Sequence, residues 1–375
     1  MKNTIYVGNT QQFNAFLLFY IVVAAQIGVG IHGFQRVLYE DAKQDAWISL
    51  VLSFVFAHIV VTVMMKTLDM FESNDLYGIH LDIFGKYFGT TLNCIYCLYP
   101  LFAFIAIVIN YIEVINTWVF PYLSPNFLCL TILIITIYAF TGGLRIIVGL
   151  CFFSFFFILW IPPILIIPLK YSDWNFLLPI LDNELKDIAK GVLSMTFTII
   201  GFEIINVIYP FVKEKDKYKR YVHLGLLFTF LLYLAILLIS LTFFSGGQLS
   251  KTIWATLTLF SIIRLPFIER VEIITICVWL IIILPNLCLF MWSAYRGIIR
   301  MKVISPVKFS VFFAIIIFIA NILFYKRSTI NIYDKYYGRV AFFIVFIYPF
   351  ILFLLAWIKK KFRKIKTAGE HNNEN

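Results

Sequence analysis

One acidic residue sits where a bilayer would least accept it. Glu203 lies in the middle of the apolar run "TFTIIGFEIINVIYPF", Thr196 to Phe211. A carboxylate at mid-span costs roughly 2.5–3.5 kcal/mol on insertion scales, so it should face a cavity or a partner. There it could contact a ligand amine, accept a proton, or line a path for ions or water. The bland alternative is an acid hydrogen-bonded to its own helix or a neighbour. A second unusual group lies near the start of the chain, where "AAQIGVGIHGFQ" places Gly28, Gly30 and Gly33 inside an apolar run. Glycine weakens a helix by about 1 kcal/mol relative to alanine. Close packing of neighbouring helices would explain three such residues. So would a discontinuous helix whose free amides and carbonyls face a cavity, and amides at a half-helix N-terminus suit a carboxylate.

Other reactive pairs carry less. Cys94 and Cys97 have C-x-x-C spacing, but no histidine or second cysteine pair is near to complete a zinc site. All six cysteines fall in apolar segments and read as small packing residues. No P-loop, H-E-x-x-H, Ser-His-Asp order or nucleotide fingerprint occurs, so no enzyme is expected, and no cofactor.

The elements that must position these groups are membrane helices. Of 375 residues, 62% are hydrophobic and 14% charged, against about 25% charged in soluble domains. The net charge of +11 falls in short loops between apolar spans, so nucleic acid is not the expected partner. The first run, from Asn3 to Gln35, is uncharged and longer than the ~7–15 residues of a signal core, so a retained span is expected.

Ten spans can be placed, at 13–34, 46–65, 93–116, 126–141, 145–167, 189–211, 221–244, 272–295, 308–325 and 340–358. Most are near the ~20 residues a bilayer requires. Residues 251–269 are interrupted by Arg264 and Pro266 and read as an interfacial or re-entrant helix, with an eleventh span as the competing topology. The basic loop "KEKDKYKR" and the tail "KKKFRKIK" place both termini in the cytoplasm. Residues 1–366 form one integral membrane domain, with halves at about 13–167 and 189–358. The polar end, 367–375, is expected to be a disordered tail.

The first and sixth spans therefore each carry a glycine-marked weak point. Two five-span repeats of inverted topology would show this, which favours broken helices over packing. Tyr96 and Tyr99 precede Pro100 in the third span, where proline disturbs the backbone, and Tyr99 is a candidate for the lining of a site. Glu113 could reach the interface, and His58 reads as a hydrogen-bonded helix residue.

These stretches resemble known proteins. "QIGVGI" (Gln26 to Ile31) is similar to the first-span glycine motif of the amino acid–polyamine–organocation transporters, and "GFE" (Gly201 to Glu203) to their sixth-span break. With "QDAWIS", "GFEIINVIYPFVK" and "RLPFIER", the chain resembles the B subunits of spore germinant receptors, the endospore germination permease family. The resemblance implies an all-α, five-plus-five inverted-repeat fold in the spore inner membrane. It implies sensing of a small nutrient (amino acid, sugar or nucleoside) beside an A subunit and a lipoprotein C subunit. It puts the ligand cradle at Ile27, Gly28, Val29 and Gly30, with Gly201, Phe202 and Glu203. Two other functions stay open: a proton-coupled amino acid transporter with Glu203 as coupling group, and a structural anchor of the receptor with a degenerate site.

Overall fold

The computed structural model describes residues 7–8, 11–71, 74–264, 266 and 269–372, with side chains described as far as Phe362. The expectation for Lys2, for the last residues 373–375 and for Leu265, Phe267 and Ile268 of the "RLPFIER" stretch lies outside the described residues. Among those described, helices carry the whole architecture. The extended pairing is a single parallel bridge between Phe13 and Val212.

In chain order the α-helices are α1 (Leu17–Gln26), α2 (Phe34–Ala42), α3 (Ala46–Met70), α4 (Leu76–Trp118), α5 (Pro125–Thr141), α6 (Leu144–Ile158), α7 (Ile161–Leu169) and α8 (Leu185–Ile199). They continue as α9 (Ile205–Ile208), α10 (Tyr218–Phe243), α11 (Gly246–Leu249), α12 (Ala255–Ser261), α13 (Val271–Met301), α14 (Pro306–Leu323), α15 (Arg327–Phe342) and α16 (Tyr348–Asn372). A π-turn at Phe343–Ile347 joins the last two into one long helical run. Residues 367–372 of the polar end are the last turns of α16.

Among the described residues, seven helices are long and apolar enough to cross a membrane, and eight if the bent pair Leu185–Ile199 and Phe202–Phe211 is one span. The chain is an all-α polytopic integral membrane protein. Every one of the ten expected ranges contains apolar helix, but seven or eight membrane-length helices stand among the described residues where ten spans were expected. Two of those helices, α1 with 10 residues and α5 with 17, are shorter than a bilayer-length segment.

Local chemistry sets the boundaries. Asp75 caps α4 by accepting the Gly78 amide at 2.9 Å. Gly85, at φ +79, breaks that helix before its long apolar part. Gly143, at φ +81, makes the tight turn between α5 and α6. Pro125 and Pro306 occupy first-turn positions, where a missing N–H costs nothing.

The outer faces are apolar at helical spacing. On α3, Leu52, Val55 and Ile59 are about half exposed, while Leu50, Phe54, Ala57, Val61 and Met64 are buried. This is the pattern of a helix with lipid on one side and protein on the other. The packing centre is α4 against α13, with α1 held between α10, α6 and α13. The first span thus lies inside the bundle.

The described residues of 251–269 form no helix long enough to span a membrane. Their helix, α12, has seven residues, five of them buried against α13, α10 and the first-span turn. Thr256 Oγ1 donates to the Ile31 carbonyl at 2.7 Å and accepts from Gln35 Nε2. The segment dips into the bundle and braces the first break.

Candidate functional site

Both glycine-marked spans are interrupted. The first runs as α1, then an extended Gly28, then a 3₁₀ turn at Val29–His32, then α2. The sixth runs as α8, an extended Ile200, Gly201 at φ +123, and a 3₁₀ turn at Phe202–Ile204. Its two parts are bent by 53°. The breaks touch. A Cβ on Gly201 would stand 2.1 Å from the Ala25 carbonyl oxygen, so only glycine fits there.

Broken helices leave carbonyls without intrahelical partners. Two side-chain amides supply donors across the break. Gln26 Nε2 donates to Ile199 O at 2.8 Å, so the first span satisfies the end of α8. Asn286 Nδ2, from α13, donates to Ala25 O at 3.0 Å. These bonds fix which end of each amide faces the carbonyl. The opposite atoms, Gln26 Oε1 and Asn286 Oδ1, are buried with no protein donor.

Both amides line a cavity of about 210 Å³. Its walls include Gly28, Val29 and Gly30 from the first break, and Thr198 and Ile200 from the sixth. Phe197, Phe290 and Tyr337 supply aromatic surface, with Trp254 and Arg327 toward one end. Arg327 pairs with Glu113 and lies over the Trp254 ring at 5.6 Å. Asn110 also lines the cavity and is held by both Asp334 oxygens at 3.1 Å. The composition is that of a small-molecule site: mostly apolar, with a few converging polar groups.

The four glycines divide. Gly28 and Gly30 line the cavity, and a Cβ on Gly28 meets only Asn286 Nδ2, at 3.6 Å. Gly33 lines it too, but its Cβ would fall 2.4 Å from the Ile253 carbonyl oxygen. Gly33 and Gly201 are close-approach residues; a Cβ at Gly28 would make only ordinary contact with one side chain.

The remaining expected residues lie behind the wall. Ile27, Phe202 and Glu203 are buried, and neither they nor Tyr99 and Gly201 line the cavity. Tyr99 donates to Glu203 Oε1 at 2.6 Å, and the Gly201 amide donates to Oε2 at 2.7 Å. Each carboxyl oxygen thus already has a donor. Tyr99 stacks on Tyr337 with centroids 6.1 Å apart, and Tyr337 reaches the cavity. Glu203 therefore meets the site through two aromatic rings, not directly.

Sequence reasoning missed Asn286, Asn110, Trp254 and Arg327. The signal for Asn286 was present, since an amide beside Pro285 interrupts an apolar run. Arg327 and Trp254 carry no local pattern that sets them apart from other residues near the ends of apolar segments. His58 does find a partner: its Nδ1 lies 2.8 Å from Nδ1 of His223. Cys97 is buried and Cys94 exposed, and among the described residues no group of three metal-binding side chains exists.

A family model described as "Spore germination protein" matches residues 12–330, covering both breaks and every wall residue of the cavity except Tyr337. The chain belongs to the spore germination protein family. It is 32% identical over 362 residues to Spore germination protein GerQB of Bacillus cereus, covering 94% of this chain and 98% of that one. It is 26% identical to Spore germination protein A2 of Bacillus subtilis (strain 168), over 93% and 97% of the two chains. Spore germination protein B2 of the same strain matches at 24%, over 91% and 94%. This germination protein is thus an integral membrane protein of a family that is not enzymatic, with a receptor-type or transporter-like role in spore germination.

Proposed function

We propose that this germination protein is the nutrient-sensing subunit of a germinant receptor, and that a small nutrient binds in the cavity between the two breaks. The observation that carries the reading is the shared wall: Gly28, Val29 and Gly30 face Thr198 and Ile200 across about 210 Å³. A ligand there touches both pieces of the first broken span and the end of α8 in the sixth at once. It can therefore favour one packing of the helices over another, as any ligand that shifts a conformational equilibrium must.

The polar groups indicate how a ligand is held. Gln26 Oε1 and Asn286 Oδ1 are acceptors awaiting donors, so the ligand supplies N–H or O–H groups, from an amine or a hydroxyl. A carboxylate, where the nutrient has one, meets the amides that open the second half of the first span. Aromatic and aliphatic walls take the rest.

The proposal includes the wider setting implied by the resemblance. The two halves, 13–167 and 189–358, are inverted repeats, and both termini face the cytoplasm. The membrane is the spore inner membrane, and the partners are an A subunit and a lipoprotein C subunit. Proton-coupled transport with Glu203 as carrier is less well supported, because that carboxyl is enclosed by Tyr99 and Gly201 and has no direct face on the cavity.

The test is germination of spores carrying Gly28→Leu, across a panel of amino acids, sugars and nucleosides, with abundance checked by immunoblot. Dormancy toward the one nutrient that wild type answers, at normal abundance, is the expected result. A normal response from fully abundant mutant protein rejects the cavity as the sensing site and leaves the anchor role.

A further inference from the structure

A second concavity, of about 500 Å³, opens where the first span begins. It is formed by the chain entering α1, by the start of α6, and by the segment that leaves the sixth span. These pieces are held in register by backbone bonds. Phe13 N donates to Phe211 O and Lys213 N to Phe13 O, both at 3.0 Å, and Glu214 Oε2 accepts the Ala15 amide at 2.6 Å.

Its lining is graded along its length. Arg145 and Lys213 stand exposed, and among the described residues neither lies within ion-pair distance of a carboxylate. Gln12 and Asn14 are neutral and polar. Beyond them the wall is apolar, with Phe16 at 42% and Phe152 at 39% exposure flanking Gly149. A Cβ on Gly149 would meet nothing within 4 Å, so the groove floor is open there.

We propose that this groove binds an anionic phospholipid. The phosphate sits between Arg145 and Lys213, the ester region meets Gln12 and Asn14, and an acyl chain lies over Gly149 between Phe16 and Phe152. Charge complementarity selects an anionic head group, because basic side chains at a membrane surface attract acidic lipid. The apolar wall separates a lipid from a free phosphate, which would use the two cations and leave that surface bare. The bound lipid spans α6 and the junction between the first and sixth spans, in a groove that shares no lining residue with the nutrient cavity, so this inference stands apart from the sensing proposal.

The experiment is native mass spectrometry of the purified full chain, titrated with dioleoyl phosphatidylglycerol or dioleoyl phosphatidylcholine. Wild type should retain phosphatidylglycerol in preference. Arg145→Gln with Lys213→Gln should lower that affinity roughly 30-fold, the combined effect of two basic residues near a charged surface, and leave phosphatidylcholine unchanged. Gly149→Leu keeps both charges and should weaken phosphatidylglycerol several-fold by occupying the acyl path. If the double substitution prevents folding, Arg145→Lys with Lys213→Arg should retain the lipid, and Gly149→Leu still tests the groove. Equal retention of both lipids overturns the proposal, as does indifference to Gly149→Leu. Displacement by millimolar inorganic phosphate as effective as by lipid also overturns it, in favour of a simple anion site.

Discussion

Tyr99 and Glu203 are 104 residues apart in sequence, yet the phenol donates to the carboxyl at 2.6 Å in the centre of the bundle. The bond ties the third span to the turn inside the sixth. Glu203 Oε2 is held in turn by the Gly201 amide, so the carboxyl acts as a clasp on the break. Its place behind the cavity wall, two rings away through Tyr99 and Tyr337, gives it influence over the shape of the site without contact with a ligand.

Tyr99→Phe keeps the ring and removes the donor. An unpartnered polar atom left in a buried site costs about 1–3 kcal/mol, and thermal unfolding in detergent should report a loss of that size. Glu203→Gln replaces one acceptor oxygen with a group that cannot accept, so it should cost a similar amount. Because each substitution disrupts the same clasp, the double variant should lose less than the two single losses added. Strict additivity would show that the phenol and the carboxyl do not act as one unit.

The two kinds of glycine should behave differently. Gly201→Ala forces a side chain to φ +123 and drives its Cβ to 2.1 Å from a carbonyl oxygen. No rotamer relieves a clash with backbone, so folded protein should fall steeply in membrane-fraction blots. Gly28→Ala meets only the end of a side chain at 3.6 Å and should accumulate normally. Equal yields from the two variants would contradict the division into close-approach and open glycines.

How far the site could be read in advance follows from what each signal is. The breaks were visible because Gly28, Gly30, Gly201 and Glu203 violate an otherwise apolar run, and such violations need no tertiary information. Arg264 and Pro266 interrupt residues 251–269, which favours an interfacial or re-entrant helix there while an eleventh span stays the competing topology in sequence alone. The roles of the glycines were not legible. Gly33 and Gly28 look alike in sequence, and only the Ile253 carbonyl behind one and the empty cavity before the other distinguish them. The enclosure of Glu203 was hidden for the same reason, since its phenol partner comes from another helix. Asn286 serves a carbonyl 261 positions away, and no local pattern announces that.

At the opposite end of the bundle from Trp254, a buried ionic cluster joins α4 to α13. Asp75 is fully buried and accepts Arg300 Nη2 at 2.8 Å and Arg296 Nη2 at 3.4 Å, beside the Gly78 amide. The two arginines are 15% and 17% exposed. Asp75→Asn leaves two poorly solvated cations facing each other, and removing one partner of such a pair costs about 3–5 kcal/mol. The variant should unfold at a clearly lower temperature, and adding Arg300→Gln should recover part of the loss. Asn caps a helix about as well as Asp, so an unchanged unfolding temperature in Asp75→Asn would mean that the cap on α4, not the charge, is what Asp75 provides.

Lys215 makes stability depend on pH. It lies in the loop between the sixth and seventh spans, half-buried over the Tyr209 ring at 3.5 Å, and donates to the Tyr209 carbonyl. Burial pushes its ammonium down to about 8 from 10.5, and the Asp69 carboxylate opposes this only in part. Between those two values the unfolded chain holds the proton more tightly than the folded one. Folding is therefore favoured progressively as pH rises through this window, and the gain is lost as pH falls back through 8. Lys215→Met cannot titrate. Comparing the two proteins cancels every other group, so the wild-type unfolding midpoint should climb relative to the variant between about pH 8 and 10.5. Parallel curves across that window would show that the Lys215 ammonium is as well solvated in the fold as in the open chain.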